Sequence, residues 1–367
     1  MNQKVLNIMK NNGITNKLYH SMFVKLKKNN SIPTRFRLAE SRSKSESFYP
    51  QKSYRFVDMS YTMNYVPPVF FRMGTNGEKE FRDGDTTSMW ESALFEHTTH
   101  ISKPFYMGES LVTMGMWQEI MGWVPGATYL QEEPLWKLKP VFNVTWYDCL
   151  IFCNKLSLRC GYTPCFKITN TEHAVPLLMG SRSMGSSENV VFAIVEKIEK
   201  ANGFRLPTEA EWEYVARYRS NDPFYEESIQ RFLSLEEIGN QIKTIDKINR
   251  TGFYDIPGNL TEWCMDLVVH NEEGNMASYG RELTIDPMNW SDIKLIPPSI
   301  LEEAIKNHRH ICRGELIRDP EDEQPRKGFK LGKVVRFKLN EYSFTYRGDS
   351  KASSIVANLG FRIVRNI

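Results

Sequence analysis

The chain has 367 residues, 41% hydrophobic and 25% charged, at a net charge of +3. That length builds one large domain or two ordinary ones, and the composition excludes a disordered or fibrous chain. No run of roughly 18 apolar residues occurs, so a membrane-crossing helix is not expected. Aromatic residues reach 12%, with eight Trp, a load suited to a loop-rich fold pinned by large buried rings.

Residues 1–50 carry ten Lys and Arg against Glu40 and Glu46, so this segment is +8 and the remainder −5. A basic arm on a mildly acidic body suits contact with RNA, anionic lipid or an acidic protein face. The apolar core of a secretory signal is absent, and the Ser-bearing, acid-poor leader points to the mitochondrion, with the cytoplasm as the alternative. Residues 1–65 are expected to form a basic N-terminal extension, and 66–367 the folded domain.

From "VPPVFFRMGTNG" onward, strand-like apolar runs alternate with Gly-rich turns. "KPFYMGESLVTMGMWQEIMG" predicts a strand and then a helix capped by Thr113, with Trp117, Ile120 and Met121 inward. "VFNVTWYDCLIFCNKLSLRCG" repeats this pattern, with Thr145 as cap, a helix to about Arg159 and Gly161 as the stop. Cys149, Phe152, Cys153 and Leu156 fall on one helical face. Their spacing suits a core better than a zinc knuckle.

Residues 166–202 read as an insertion. In "GFRLPTEAEWEYVARY", Thr208 caps a helix, Glu211 completes a capping box and Glu209 favours the positive helix end. Trp212, Val215 and Ala216 form its inner face, so the three carboxylates read as structural. "NRTGFYDIPGNLTEWCMD" predicts a tight loop and a short strand. Residues 271–308 are polar and irregular, and 317–355 form a loop surface. "ANLGFRIVRNI" predicts a closing strand of alternating burial.

In this order, "VFFRMG", "GESLVTMGMWQEIMG", "KPVFNVTWYDCLIFCNKLS", "GFRLPTEAEWEYVAR", "GFYDIPGNLTEWCMD", "CRG" and "NLGFRIVR" resemble successive signature blocks of the formylglycine-generating enzyme (sulfatase-modifying factor) family. The resemblance covers roughly 66–166, 202–270 and 309–367. It implies an α+β fold, an irregular, loop-rich C-type-lectin-like domain. It also implies oxidation of a sulfatase cysteine to formylglycine with copper and oxygen, and copper(I) prefers thiolate ligands. In the family a cysteine pair lies between the "RGG" block and the final "GFR" block. Here that interval runs from Arg313 to Gly360 and holds no cysteine; Cys312 precedes it, and Glu315 replaces the second glycine.

The expectation is therefore a non-catalytic member, a structural or binding subunit of a larger protein assembly, with no certain cofactor. An iron-dependent branch of the family uses three histidines. The leader here holds only His20, and the close pairs are His97 with His100 and His308 with His310. The resemblance also implies a structural ion near "GNLTEW". Asn259 and Glu262, with the Leu260 carbonyl, are candidate calcium ligands, and the alternative is that they tie the loop by hydrogen bonds. Asp83 and Asp85 read as turn residues.

GxSxG, HExxH, Walker A and GxGxxG motifs are all missing. Two further readings stay open. One is a metal-dependent oxidoreductase-type enzyme with altered chemistry, drawing on Arg313, Glu315, Arg318, Asp319, Arg347 and Asp349. The other is a lectin-like ligand-binding protein using Tyr346 and Trp290.

Overall fold

Short strands and three capped helices make up the described residues of the computed structural model, which are 50–57, 60–74, 96–125, 135–175, 186–217, 252–256, 259–268, 283–288, 307–314, 347–356 and 359–367. The main sheet is antiparallel, in the order β1 (Gln51–Arg55), β2 (Ser60–Val66), β5 (Phe105–Gly108), β14 (Val364–Asn366), β8 (Phe204–Arg205). It thus joins both ends of the folded unit. β1 and β2 belong to the body, which begins near Tyr49 and not at Val66. The sequence hid β1 because none of its five residues is buried, which leaves no apolar periodicity to read.

Two smaller sheets accompany the main one. β3 (Val69–Met73), β4 (His97–Ile101) and β10 (Thr284–Ile285) form one, with β10 parallel to β4. The other runs β12 (Gly348–Lys351), β11 (Arg309–Arg313), β9 (Thr261–Leu267), β13 (Leu359–Gly360). The expected insertion at 166–202 is instead a hairpin of β6 (Phe166–His173) and β7 (Val190–Lys197). Its β7 side chains Val190, Ala193 and Val195 join the core while most of polar β6 stays exposed.

The helices start where the sequence puts them. α1 (Met114–Met121) is capped by Thr113, whose hydroxyl accepts from Met116 N at 3.3 Å. α2 (Trp146–Arg159) carries a full capping box between Thr145 and Asp148. Asp148 does more than cap: its carboxylate also accepts from Val190 N at 2.8 Å and Asn189 Nδ2 at 2.7 Å, so it ties α2 to β7. Burial pushes its carboxyl above the usual range, against the pull of these hydrogen bonds. Gly161 takes φ +76°, as the predicted stop requires.

Trp117 anchors the larger core, stacked on Phe152 at 5.6 Å and edge-on to Phe361 at 6.1 Å. Cys149, Phe152, Cys153 and Leu156 all lie in it, as expected. The C-terminal block differs from its expected alternation. Residues 359–365 are buried without a break and supply two strands in two sheets. A buried arginine in that run, Arg362, explains how a charged position faces inward.

Candidate functional site

The third helix, α3 (Glu209–Arg217), organises the charged centre of the protein. Its capping box is as predicted: Thr208 N donates to Glu211 Oε2 at 2.9 Å, and Glu211 N to Thr208 Oγ1 at 3.2 Å. Trp212, Val215 and Ala216 are buried, as are all three carboxylates. Helical geometry sorts these carboxylates. Glu209 and Glu213, four residues apart, share a side, while Glu211 turns back toward the helix start.

Each carboxylate meets an arginine. Arg205 grips Glu211 through two nitrogens at 2.6 and 2.7 Å. Arg347 Nε donates to Glu209 Oε2 at 2.9 Å. Arg313 Nη2 donates to Glu213 Oε2, and Gly74 N donates to Glu213 Oε1 at 2.7 Å. Arg217 adds bonds to the carbonyls of Arg72 and Gly74. The helix start is closed by Asp266, which accepts from Glu209 N at 2.7 Å.

Arg313 ends β11 and Arg347 immediately precedes β12, strands paired in antiparallel register with Cys312 opposite Gly348. Both arginines are thus held by α3, Arg313 through Glu213 and Arg347 through Glu209. Gly314 is required by close approach: at φ +87° a Cβ there would sit 3.0 Å from Trp212 Cζ2. The guanidinium of Arg313 lies over the same indole, 5.5 Å from its centroid. These contacts account physically for the "CRG" block.

Glu262, a candidate calcium ligand, lies on β9 with both oxygens accepting from Arg362, at 2.6 and 2.8 Å. The same guanidinium donates to the carbonyls of Gly108 and Tyr254, each at 3.2 Å. Its charge is already matched by a rigid cation, so the carboxylate does not fit a calcium shell and reads as a frame residue. Asn259 sits in the preceding turn at φ +62°, with its amide 3.4 Å from Asp255 Oδ2. The structure thus engages Asn259 and Glu262 with different partners.

Of the paired histidines, His97, His100 and His310 are buried and His308 is half-buried. His97 and His100 lie on β4, with His100 stacked on Phe70 at 3.8 Å. His310 stacks on Trp146 at 3.7 Å, and burial pushes it down to about 3. Asp349 pairs with Arg309 on the β11–β12 edge. His20, Asp83, Asp85, Trp290, Glu315, Arg318, Asp319 and Tyr346 lie outside the described residues.

Copper(I), implied by the family resemblance, calls for converging thiolates. The thiols here do not fit that need. Cys149, Cys153, Cys165, Cys264 and Cys312 are buried, and desolvation holds Cys149, Cys153 and Cys264 well above the usual thiol range. Among the described residues no three His, Cys, Asp or Glu side chains converge as a metal group. Nor does the ionic cluster suit acid–base work. Glu209, Glu213 and Glu262 are sealed from water and paired, whereas a general acid or base must reach a substrate proton.

Sequence reasoning found the helix caps and missed the arginine pairing, whose partners lie about a hundred or more residues apart for Glu209, Glu213 and Glu262. The available signal was an arginine inside each of the otherwise apolar blocks "HICRG" and "LGFRIV".

Residues 55–367 match the sulfatase-modifying factor enzyme 1-like domain. The chaperone protein LppX of Paenibacillus barcinonensis is 31% identical over 192 residues, covering 46% of this chain and 64% of the relative. The chain thus spans less than two thirds of that relative's length. Among solved structures, Treponema denticola variable protein 1 aligns with TM-score 0.54 at 22% identity, over 86% of this chain and 99% of that one, a likeness of fold alone. PvdO from Pseudomonas aeruginosa aligns with TM-score 0.47 at 16% identity, over 89% and 100% of the two chains. The chain belongs to the sulfatase-modifying factor enzyme 1-like family and carries its α+β, C-type-lectin-like fold.

Proposed function

We propose that this protein is a non-catalytic member of its family, a binding or structural subunit that engages another polypeptide in a larger assembly. The observation that carries this reading is how the charged and sulfur groups are used. Glu209, Glu211, Glu213 and Glu262 of the signature blocks are spent on internal arginine pairs, and five of the six thiols are buried. No cysteine follows Cys312. What remains is a rigid frame that positions loops, and function on such frames resides in what the loops and surfaces contact.

The name of the relative, a chaperone protein, supports a role directed at another protein. The +8 segment at residues 1–50 supports attachment to an acidic protein face, anionic lipid or RNA, and a mitochondrial location. The test is purification of the full chain from its own cells under native conditions, beside a chain lacking residues 2–48. A stoichiometric protein partner supports the reading. A monomer that turns over a small substrate contradicts it.

A further inference from the structure

A surface groove runs between the C-terminal half of α2 and the start of β6, with a volume of about 540 Å³. Ile151, Phe166, Ile168 and Leu158 make it apolar, and Leu158 is 66% exposed, one of few large hydrophobic side chains left in water among the described residues. Its walls are fixed to each other. Asn154 on α2 donates to Phe166 O at 2.7 Å and accepts from Phe166 N at 3.3 Å. The groove therefore keeps its shape without a ligand, which lowers the cost of binding.

Two lysines stand on the rim. Lys155 is exposed and has no carboxylate partner among the described residues, while Lys167 shares Glu196 at 2.9 Å. Residues 51–367 are net −5, so this rim opposes the sign of the body around it. The chain's own arm at residues 1–50, at +8, is repelled by such a rim and makes a poor occupant.

We propose that this groove docks an amphipathic helical segment of the partner protein, with its apolar stripe over Leu158 and Ile168 and acidic residues beside Lys155 and Lys167. An open apolar trough with charged edges is the surface that helix-in-groove recognition uses. The inference rests on the protein-binding reading above and names the surface and the chemistry of its partner.

The test uses the full chain and three labelled amphipathic helical peptides that share one Leu stripe and carry Glu, Gln or Lys beside it. Binding is read by fluorescence anisotropy. The Glu peptide is expected to bind about tenfold tighter than the Gln peptide, with the Lys peptide weakest. Lys155→Glu is expected to reverse the order of the Glu and Lys peptides. Leu158→Ser is expected to weaken the Glu peptide by about tenfold, in line with loss of one buried apolar contact. Both sites are exposed, and an unchanged circular dichroism spectrum checks the fold.

Equal binding of the three peptides overturns the proposal, as does indifference to both substitutions. So does displacement of the Glu peptide by a peptide spanning residues 1–49, which would make the arm the occupant. If a K155E/L158S chain keeps its stoichiometric partner, the groove is wrong while the function proposed above stands. If the unaltered chain has no partner, that function fails instead.

Discussion

Arg362 lies along Glu262 with Nε 2.6 Å from Oε2 and Nη2 2.8 Å from Oε1, and both side chains are buried. The pair links β9 to the segment between β13 and β14, so one ion pair closes the C-terminal end of the fold onto the β12–β11–β9–β13 sheet. Burial raises the Glu262 carboxyl while the guanidinium opposes that shift. The pair is a matched charge in a dry site, stable only while both members are present.

Arg362→Ala should therefore cost about 3–5 kcal/mol in urea unfolding, because it strands a buried carboxylate. Arg362→Lys should recover little of this, since an ammonium cannot hold both oxygens and the Gly108 and Tyr254 carbonyls in one plane. Full recovery by lysine would show that charge alone suffices.

Gly203 packs where no side chain fits. A Cβ there would lie 2.4 Å from both Ser157 Oγ and the Thr163 carbonyl. Ser157 is itself held, donating to Cys153 O at 2.7 Å and accepting from Phe204 N at 2.8 Å. Gly203→Ala should destabilise by about 1–3 kcal/mol, as overpacking does. A midpoint equal to that of the unaltered chain would mean the backbone yields there.

His310 should make part of the acid sensitivity. Its ring is buried, stacked on Trp146, and pushed down to about 3, whereas the unfolded chain titrates near 6.5. The unfolded state then takes up a proton that the folded state refuses. Stability from this group is complete above about pH 6.5 and falls as pH drops toward 3, by up to about 1.4 kcal/mol per unit. Asp148, raised by burial, acts in the opposite sense, so the readout is the difference between His310→Phe and the unaltered chain. That difference should narrow with acid. A gap constant from pH 7 to 4 would mean that His310 titrates normally.

Thiol accessibility is the fourth expectation. Cys160 alone among the six cysteines is half-buried, the others being buried. Ellman's reagent should modify the native protein slowly and at Cys160 alone, because burial raises that thiol as well. Denaturation should release the remaining five. Rapid native modification of Cys312 or Cys264 would place reactive sulfur near the ionic centre.

Much of the frame was legible in sequence because its signals are local. Thr113, Thr145 and Thr208 announce helix starts within four residues, and Gly161 a stop, so these elements fall where they were expected. The long-range ties were not legible. Nothing near Glu213 in sequence marks Arg313 as its partner, and the buried role of Glu209 is hidden by its helix-start position. The β6–β7 hairpin escaped notice because polar β6 resembles a loop, and β1 because it buries nothing. At Glu262 a local ligand pattern pointed to calcium while the fold supplied a distant arginine.

The central claim is that this family frame works by binding, without copper oxidation of a peptide cysteine. Its most direct test is to supply the full chain with copper(I), oxygen and a sulfatase-type cysteine peptide, and to follow the peptide by mass spectrometry. The account predicts no aldehyde beyond that formed by free copper. Catalytic conversion of the cysteine to formylglycine would contradict it.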